Sequence, residues 1–423
     1  MNIPDEIKKF NNEIYLVGGA VRDFYMGKQS TDFDLIVTDE DARDFAQKIE
    51  GTFVPLDEQN KIYRVVTQLS TIDVTNPVGG SLERDLMRRD LTMNAIAMNI
   101  KTGEIIDLCG GVADIRNKCI NMISEQNFVD DPLRLLRVYR FQATLGFAIS
   151  ADTVAAVCKH ANLIHEPAVE RVNYELLRLF GREFAHTALV NMDTTWLLEE
   201  IFQFVKELKQ IPPNTHHHLD LFNHSIEVVR QIQQIYENSA SEVREHLERV
   251  DFGGLPRLAH LKLAGFLHDM GKFSTWTIEE DRHRFIKHDD VGAKLAASLL
   301  KKMKFSSKQT EYISLMVKNH LYPAQLVSEP DLSDKTMMRF VRKLDENAID
   351  NIILSQADRL SACGEAVTDA MVEQNINKLN DLMKFYLDSR ETLEPLPKLL
   401  SGHEVMEILN IKPSRALGEI MKA

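Results

Sequence analysis

The sequence predicts an α+β protein in which a small N-terminal α/β head is followed by an all-helical chain. Short β-branched runs alternate with helical stretches over residues 1–120, which is typical of an α/β unit. After about residue 128 the apolar spacing becomes helical and stays so. A chain of 423 residues is long enough for roughly two to four domains with hydrophobic cores of their own. The predicted strands of the head are Tyr15–Val17, Phe33–Val37, Tyr63–Val66, Ala95–Asn99 and Ile105–Leu108.

A glycine turn and two acids mark the first candidate site of the head. Gly18-Gly19 follows the first predicted strand, and glycine lets backbone N–H groups approach an anion such as a triphosphate closely. Asp32 and Asp34 are two residues apart on the second predicted strand, so they share one face while Phe33 points into the core. Two carboxylates on one face repel each other unless a cation lies between them, and Mg²⁺ prefers oxygen ligands. This arrangement predicts phosphoryl or nucleotidyl transfer.

The second candidate site is the run RDLMRRDLTMNA, which extends from Arg84 to Ala95. Its adjacent arginines, Arg88 and Arg89, stand beside Asp90. A guanidinium binds phosphate through two parallel hydrogen bonds, and a neighbouring carboxylate can orient it. Such a cluster alone is more often a surface salt-bridge patch. After the glycine turn and the acid pair, it favours an anionic ligand.

The first helix after the head is predicted to open at Asp131-Pro132. Its apolar stripe consists of Leu133, Leu136, Val138 and Phe141, and the arginines of this helix and the next ones are Arg134, Arg137, Arg140, Arg171, Arg178 and Arg182. Asp131 and Arg134 are three residues apart and share a helix face, where they offer acceptors and donors in one plane. That pair could read the Watson–Crick edge of a nucleobase, although its spacing alone favours an ordinary intrahelical ion pair.

Two polar connections divide the rest of the chain. The break IPPN at residues 211–214 predicts a linker, and a His-rich helical segment is expected from His216 to about Tyr322. The polar run at residues 328–333 predicts a further connection, which leads into a helical tail. The predicted domains are therefore a head over 1–125, a neck over 126–212, a His-rich domain over 213–327 and a tail over 328–423.

The second half of the chain carries a spaced set of metal-ligand residue types. The set consists of His224, the adjacent pair His268-Asp269, His288, His320 and Asp358. The adjacent pair supplies one imidazole and one carboxylate to a shared metal, and distant histidines can complete the shell. A lone histidine is more often a surface or core residue than a metal ligand.

Overall composition limits the class of partner and compartment. A net charge of −13 does not favour nonspecific nucleic-acid binding, but a local basic stripe can still bind phosphates. The predicted basic stripe consists of the arginines listed above, Arg134, Arg137, Arg140, Arg171, Arg178 and Arg182. The four cysteines lie far apart without a CxxC pair, which argues for reduced thiols in a cytoplasm and against a zinc ribbon. We find no apolar run long enough to span a bilayer and no signal-peptide pattern at the start of the sequence. A cytoplasmic protein without a membrane partner is expected, and its oligomeric state stays open.

The order of the motifs resembles the class II tRNA nucleotidyltransferase and bacterial poly(A) polymerase family over roughly the first half of the chain. The motifs are, in order, GGAVRD, DFD, RRDLTMNA, DLCGG, DDPLRLLRVYRF and ERV. The resemblance implies a head with a small polymerase-beta-like sheet. It also implies template-independent addition of CMP and AMP, taken from CTP and ATP, to the 3′ end of tRNA. In that reaction the terminal 3′-hydroxyl attacks the α-phosphate in line, with the help of two Mg²⁺ ions.

The same resemblance implies roles for individual residues. The implied metal ligands are Asp32 and Asp34, and the implied nucleotide-binding residues are Gly18, Gly19, Arg22, Arg88, Arg89, Asp90, Asn94, Asp131, Arg134, Arg137 and Arg140. Arg22 and the two glycines would lie at the triphosphate, while Arg88, Arg89 and Asp90 would contact the sugar and phosphates. Asp131 and Arg134 would be the amino-acid template that selects CTP or ATP. This chain has Asp130 where the family usually has glutamate.

The histidine and aspartate pattern resembles the HD-domain metal-dependent phosphohydrolases. The resemblance implies that His224, His268, Asp269 and Asp358 are core ligands, that His288 and His320 join a second metal, and that Lys272 contacts a substrate phosphate. A divalent transition metal such as Mn²⁺, Ni²⁺ or Fe²⁺ would suit this site. The domain either hydrolyses phosphoesters or serves as an RNA-binding body with vestigial ligands, and the completeness of the ligand set relative to that family favours metal binding.

Several functions therefore remain alternatives to full CCA addition. The connection between Asp73 and Arg88 is short, as in the subgroup that adds only CC, whereas full CCA-adding members carry a longer loop there. Addition of A alone and poly(A) synthesis are further alternatives within the family. Outside it stand an HD phosphohydrolase with a nucleotide-binding head and a nucleotidyltransferase for a small molecule. The arginine-bearing helices after the head argue against the small-molecule substrate.

Overall fold

A computed structural model describes residues 3–215, 218–280, 282–329, 332–390, 402–410 and 412 of the chain. The predicted fold class is confirmed, because an N-terminal sheet is followed by a helical region. His216, the expected start of the His-rich segment, lies outside the described residues. So do residues 391–401, 411 and 413–423 of the expected tail.

The head contains a seven-stranded sheet in the order β3-β4-β5-β2-β1-β6-β7. Its strands are β1 (Ile14–Val17), β2 (Asp32–Val37), β3 (Thr52–Asp57), β4 (Ile62–Val66), β5 (Thr71–Thr75), β6 (Ile96–Asn99) and β7 (Ile105–Asp107). Two further pairs are β8 (Cys119–Ile120) with β9 (Ala148–Ile149), and β10 (Trp276–Glu279) with β11 (Arg282–Phe285). Each of the five predicted runs is a strand of the sheet. The strands β3 and β5 were not predicted.

Helices fill the spaces between the strands of the head and make up most of the remaining described chain. In the head they are α1 (Asp5–Lys8), α2 (Gly19–Tyr25), α3 (Ala42–Ala46), α4 (Leu82–Met87) and α5 (Gly111–Arg116). Up to the 211–214 break they are α6 (Glu125–Asp130), α7 (Leu133–Leu145), α8 (Ala151–His160), α9 (Val169–Phe180), α10 (Ala185–Thr194), α11 (Leu197–Ile201) and α12 (Val205–Leu208). Beyond it are α13 (Leu221–Asn238), α14 (Ser241–Glu248), α15 (Arg257–Leu267), α16 (Lys272–Thr275), α17 (His288–Lys302), α18 (Ser307–Asn319), α19 (Tyr322–Ser328), α20 (Asp334–Leu344), α21 (Ala348–Leu360), α22 (Asp369–Ser389) and α23 (Gly402–Leu409). Among the described residues, no helix has the length and apolarity needed to cross a membrane.

The expectation of unbroken helix after residue 128 is wrong at two places. β9 follows α7 and pairs in parallel with β8 of the head. The hairpin of β10 and β11 stands between α16 and α17, inside the run expected to be helical from His216 to Tyr322. Residues 276–279, WTIE, include the β-branched Thr277 and Ile278, and Glu280 turns the chain with a φ of 49°. These local preferences favour a hairpin over a helix.

Sheet register and packing bring the predicted site residues of the head together. In β2, Phe33 is buried while Asp32 and Asp34 lie on the opposite face, as the alternation predicts. Ile36 shares the face of the two acids and packs in a small cluster with Leu82 and Leu86 of α4. Because α4 is packed there, the arginines that follow it stand next to the acid pair.

Candidate active site and metal cluster

The predicted nucleotide-binding residues line one open cleft of about 510 Å³ between the head and the helices after it. The lining contains Gly18, Gly19, Arg22, Asp32, Asp34, Arg88, Arg89, Asp90, Asn94, Asp131, Arg134, Arg137 and Arg140, together with Arg171 and Arg178 of the predicted basic stripe. The sequence interpretation did not assign Ala20, Asp23, Ser30, Leu133 or Phe141 to this site, which the cleft also includes. Residues spread over about 160 positions of sequence thus share one surface.

The glycine turn meets the acid pair directly. Gly18 has a φ of 70°, and a Cβ atom there would lie 3.1 Å from Nη1 of Arg89 and 3.3 Å from Oδ2 of Asp34. Glycine therefore satisfies both the backbone conformation and the close approach. Desolvation by the surrounding protein raises the pKa of Asp34, Arg89 opposes that shift, and Asp73 and Asp32 add to it. The acid pair consequently lies where added positive charge is favourable.

Asp73 is a third carboxylate at this site that the sequence interpretation did not assign to it. β5 runs parallel to β2, and Asp73 stands opposite Asp34 in the register. Arg64 on β4 holds Asp73 through two hydrogen bonds of 2.7 and 2.8 Å. The signal was present in the alternation of TIDVT, where Ile72 and Val74 are buried and Asp73 lies between them.

Asp85 holds both adjacent arginines, Arg88 and Arg89, through hydrogen bonds to its carboxylate. Its side chain is almost fully buried and accepts hydrogen bonds from Arg88 at 3.0 and 3.2 Å and from Arg89 at 3.1 and 3.2 Å. Arg89 also donates to the backbone carbonyl of Asn94 at 3.1 Å. The backbone N–H of Val78 donates to Asp85 at 3.1 Å. One carboxylate thus orients both guanidinium groups and fastens the short segment before α4.

The short connection between β5 and α4 is held at both ends. Asn76 donates to the carbonyl oxygens of Val37 and Glu40 at 2.9 and 2.7 Å, and its own side-chain oxygen accepts from Ala42. Ser81 caps α4 through a hydrogen bond from the backbone of Arg84. The connection over residues 76–81 therefore has side-chain anchors at its start and its end.

Asp90 joins the head to the neck. Its Oδ2 accepts from Nε of Arg137 at 2.7 Å, and its Oδ1 accepts from the side chain of Asn94 at 3.0 Å and the backbone of Leu91 at 2.8 Å. Burial disfavours the charge of Asp90, but Arg137 and these hydrogen bonds outweigh it and lower the pKa to about 2. Both oxygens are engaged by protein groups, so the geometry makes Asp90 a brace for Arg137.

Asp131 and Arg134 lie in the cleft without forming a tight pair. Nε of Arg134 is 3.9 Å from Oδ2 of Asp131, while Nη1 of Arg134 donates to the carbonyl of Asn127 at 3.0 Å. Asp131 accepts instead from Arg171 at 3.1 Å. Each side chain is thus held by a different partner, and both residues line the cleft. Asp130 is exposed and bonds to Gln126 outside the cleft lining.

Arg140 lies at the floor of the cleft and is nearly buried. Its Nε is 2.6 Å from Oε2 of Glu175, and its guanidinium lies 3.9 Å from the centre of the Phe141 ring. Burial lowers the pKa of Arg140 to about 10, with Glu175 opposing and Arg137 and Arg178 adding to the shift. Glu175 also pairs with Arg178 at 3.5 Å. Sequence reasoning missed Glu175, which comes from α9 and is far from Arg140 in sequence.

The HD cluster, consisting of His224, His268, Asp269, His288, His320 and Asp358, comes together in the helical region. Nε2 of His224 is 3.1 Å from Oδ1 of Asp358, and Nε2 of His268 is 3.2 Å from Oδ2 of Asp269. Nε2 of His288 is 3.3 Å from both Oδ1 of Asp269 and Nε2 of His320. Two overlapping groups of this cluster, His224–His268–Asp358 and His268–Asp269–His320, hold their ligand atoms within 4.8 Å of one another. All the residues of the predicted pattern therefore converge.

The donor set of the HD cluster fits a divalent metal. Nδ1 of His268, His288 and His320 each contacts a backbone carbonyl, those of Gly265, Phe285 and Val317, at 2.7 to 2.8 Å. A ring that donates through Nδ1 keeps the lone pair of Nε2 for a metal. The Nε2 atoms point at buried carboxylates, as a mixed nitrogen and oxygen ligand set requires.

The charges of the HD cluster compensate one another. Burial disfavours a charged His268, but Asp269 and Asp358 raise its pKa to about 10, so that without a metal a proton occupies the Nε2 position that a metal would take. Burial likewise works against the charge of Asp269, yet His268 and Lys272 keep its pKa well below the ordinary value. Nζ of Lys272 is 2.6 Å from Oδ2 of Asp269. Lys272 thus binds a cluster carboxylate, and its expected contact with a substrate phosphate stays a prediction.

Comparison with known proteins assigns the chain to a family. Family profiles match residues 14–121 ("Poly A polymerase head domain"), 146–209 ("Probable RNA and SrmB- binding site of polymerase A") and 221–363 ("HD domain"). An A-adding tRNA nucleotidyltransferase of Deinococcus radiodurans is 32% identical over 96% of this chain and 89% of the relative. The chain belongs to the tRNA nucleotidyltransferase and poly(A) polymerase family. The predicted family and enzyme class are confirmed, and membership implies dependence on a divalent metal.

Other relatives and solved structures agree with this family. A CC-adding tRNA nucleotidyltransferase of Thermus thermophilus is 30% identical over 97% of this chain and 88% of its own. A Bacillus stearothermophilus CCA-adding enzyme in complex with CTP has a TM-score of 0.61 at 23% identity, covering 99% of this chain and 90% of that one. A Thermotoga maritima CCA-adding enzyme complexed with tRNA has a TM-score of 0.60 at 19% identity, covering 97% and 85%. The two structures show that the fold is shared.

Proposed function

We propose that this nucleotidyltransferase adds CMP and AMP, taken from CTP and ATP, to the 3′ end of tRNA. The observation that carries the proposal is the single cleft in which the acid pair, the glycine turn and the Asp131–Arg134 pair meet. The relatives that match nearly the whole chain are tRNA nucleotidyltransferases, which supports tRNA as the substrate.

The chain's own residues supply positioning and charge compensation for this reaction. The backbone N–H groups after Gly18 and the guanidinium of Arg22 would bind the triphosphate, and Arg22 is held for this by Asn94 at 2.9 Å and by Asp23. Arg88 and Arg89, oriented by Asp85, would bind phosphate oxygens. Asp131 and Arg134 would read the edge of the base, because a mismatched edge leaves buried hydrogen-bonding groups without partners.

Asp32 and Asp34 are the residues that would hold the catalytic metal ions. Their hard oxygen ligands suit Mg²⁺, and the raised pKa of Asp34 indicates a site where a cation is favourable. When bound, such ions activate the 3′-hydroxyl and stabilise the developing charge on the phosphates. Asp73 would remain beside them as an acid held by Arg64.

End sequencing of tRNA tests this function. Transcripts that lack the whole CCA end, or only its final A, are incubated with CTP, ATP or both, and their 3′ ends are sequenced. We expect addition of C residues from CTP and of a terminal A from ATP, abolished by EDTA. Long adenosine tails on unrelated RNA would point to poly(A) synthesis instead. An absence of any incorporation, with EDTA-sensitive phosphate release that His268→Ala abolishes, would favour a primary phosphohydrolase.

Addition of CC alone is the second candidate function. It is favoured by the connection over residues 76–81, which is short and is tied down through Asn76 and Asp85. A segment fixed in this way supports one arrangement of the nucleotide site rather than a switch between CTP and ATP. The same end sequencing distinguishes the candidates, since CC-only addition leaves transcripts ending in CC unchanged when ATP is supplied.

The HD cluster is proposed to bind a divalent transition metal such as Mn²⁺, Ni²⁺ or Fe²⁺. We keep a head over 1–125 and a neck over 126–212 as the proposed division of the first half. The proposed HD domain starts at 213 but is extended beyond 327 through α21, because Asp358 of that helix contacts His224. We further infer a cytoplasmic location, which the four separated cysteines favour.

A further inference from the structure

A buried polar network lies in the same helices as the HD cluster. Arg257 on α15 and Asp350 on α21 are both fully buried, and Nη2 of Arg257 donates to Oδ2 of Asp350 at 2.9 Å. Tyr312 on α18 donates its hydroxyl to Oδ1 of Asp350 at 2.6 Å. Nε2 of His246 on α14 lies 2.7 Å from Oδ2 of the same carboxylate. These four residues are called the Arg257 network below.

Arg257 has further hydrogen-bonding partners and aromatic contacts beyond those that define the network. Arg257 also donates to Asp251 at 2.8 Å and to the side chain of Asn347 at 2.7 Å. Its guanidinium lies 5.0 Å from the ring centre of Phe252 and 5.1 Å from that of Tyr312. Buried ion pairs add little net stability compared with apolar packing of the same volume, and in some proteins they specify the register of the elements that carry them. Register is therefore the contribution to test for this network.

Three helices each begin at or contain one network residue and lead to one residue of the HD cluster, which lies in the last turn of α21 and directly after the end of α15 and of α18. The pairs are Arg257 and His268 for α15, Tyr312 and His320 for α18, and Asp350 and Asp358 for α21. A separation of eight residues corresponds to a rise of about 12 Å, and one of eleven residues to about 16 Å. All three helices therefore run in the same direction, from the network to the cluster.

Between the Arg257 network and the HD cluster, α15 is packed closely against its neighbouring helices, so it has little room to slide along its axis. Gly265 accepts a hydrogen bond from Nδ1 of His268, and a Cβ atom at this position would lie 2.6 Å from Cδ1 of Ile232 on α13. The same position faces Leu354 of α21 at 3.6 Å. Packing of this density transmits a displacement of one element to its neighbours.

We propose that the Arg257 network is a positioning centre that fixes the axial register of α15, α18 and α21, and thereby the spacing of His268, His320 and Asp358. A shift of one residue along a helix moves a side chain by about 1.5 Å, while metal–ligand distances tolerate only about 0.2 Å. The network thus sets the metal affinity of a site that none of its members touches. The inference rests on the proposal that the HD cluster binds a divalent metal.

The test measures Mn²⁺ affinity in the full-length chain. Asp32→Asn and Asp34→Asn are introduced first, so that the head does not contribute to binding, and Mn²⁺ is titrated by calorimetry and by EPR. In this background Tyr312→Phe removes one hydroxyl of the network. Tyr139→Phe is the matched control, because Tyr139 of α7 is equally buried and its hydroxyl bonds to Thr195 at 2.7 Å.

We expect Tyr312→Phe to weaken Mn²⁺ binding about 3- to 10-fold and to broaden the EPR spectrum of the bound ion, a smaller effect than loss of a group hydrogen-bonded to a ligand. Tyr139→Phe should lower the melting temperature similarly and leave Mn²⁺ affinity within about twofold. Asp350→Asn should weaken Mn²⁺ binding further than Tyr312→Phe does. If Asp350→Asn does not fold, the Mn²⁺ affinity of Tyr312→Phe alone tests the proposal.

The outcomes separate this inference from the proposal on which it rests. If the parent binds Mn²⁺ and Tyr312→Phe binds it as tightly, or if both tyrosine variants weaken it equally, the positioning role is wrong. If the parent binds no Mn²⁺ and His268→Ala changes nothing, the proposed HD metal is itself wrong and the role falls with it.

Discussion

The head cleft and the HD cluster both gather carboxylates, but they balance the charge in opposite ways. In the head, Asp34 is reached by solvent, its pKa is raised, and its neighbours include two further acids. In the HD cluster, Asp269 is buried and histidines with Lys272 lower its pKa. Added positive charge is therefore favourable beside the acids of the head, whereas in the HD cluster His268 and Lys272 already stand beside the buried Asp269.

The head cleft and the HD cluster also differ in how much open space lies beside their carboxylates. The head opens through a cleft of about 510 Å³ lined by arginines, a volume typical of a site for one small ligand such as a nucleotide. The cavity beside His224 has a volume of about 10 Å³, which is room for about one water molecule. It is lined by residues that include Pro212, Leu219 and Phe285. The contrast is between an open cleft lined by acids and arginines and a cluster that is mostly buried, with Asp358 as its partly exposed member.

Loss of Asp34 from the acid pair of the head should have the largest effect on nucleotide incorporation. It also tests directly whether the head cleft, rather than the HD cluster, is the reaction centre. We expect Asp34→Asn to reduce CMP incorporation by about a thousandfold or more, because the metal ions lose a ligand. The readout is incorporation of labelled CTP into tRNA. Asp130→Asn is the control, since Asp130 lies outside the cleft. Activity retained in Asp34→Asn would refute the assignment of the cleft as the reaction centre.

Base selection should depend on the neck side of the cleft. We expect Arg134→Ala to reduce discrimination between CTP and ATP by about 10- to 100-fold, since hydrogen bonding to the base edge carries the selectivity. The measurement is kcat/KM for each nucleotide. Arg230→Ala, which removes an arginine paired with Glu227 far from the cleft, should leave the ratio unchanged. An unchanged ratio in Arg134→Ala would move base selection to other residues.

Asp85 tests how far the head depends on arginines oriented in advance. Asp85→Asn removes the charge that holds Arg88 and Arg89, and we expect KM for CTP to rise about tenfold with a smaller fall in kcat. Steady-state kinetics gives both constants. Asp41→Asn changes an acid that caps α3 elsewhere in the head and serves as the control. Equal KM values would show that the arginines need no such support.

The last prediction concerns stability rather than activity, and it tests the contact of Asp90 with Arg137 between head and neck. The pKa of Asp90 is lowered from 3.8 to about 2, so its ionised form stabilises the fold by about 2 kcal/mol at pH 7. Because the folded pKa is the lower one, this contribution is present above about pH 4 and is lost as the pH falls toward 2. Denaturant unfolding of Asp90→Asn and wild type at several pH values measures it. A difference that does not shrink over this range would contradict the ionised brace.

Local sequence patterns predicted the parts of both sites whose residues lie close together in the chain. The alternation around Phe33 placed Asp32 and Asp34 on one face, and the glycine pair and adjacent arginines were evident as motifs. Asp73 and Glu175 were missed, because their roles arise from a parallel strand pairing and from packing of α9 on α7. The partner of Asp90 was missed as well, since Arg137 comes within 2.7 Å of its carboxylate only in the folded chain, and its implied sugar contact stays a prediction. Tertiary partners of charged residues are set by long-range packing, which short motifs do not encode.

Anomalous diffraction from crystals of the chain grown with CTP and Mn²⁺ tests the central contrast most directly. We predict Mn²⁺ between Asp32 and Asp34 with the triphosphate at Gly18–Arg22, and a separate Mn²⁺ in the HD cluster with no nucleotide beside it. CTP bound at the HD cluster, or a head cleft that holds neither metal nor nucleotide, would contradict the account.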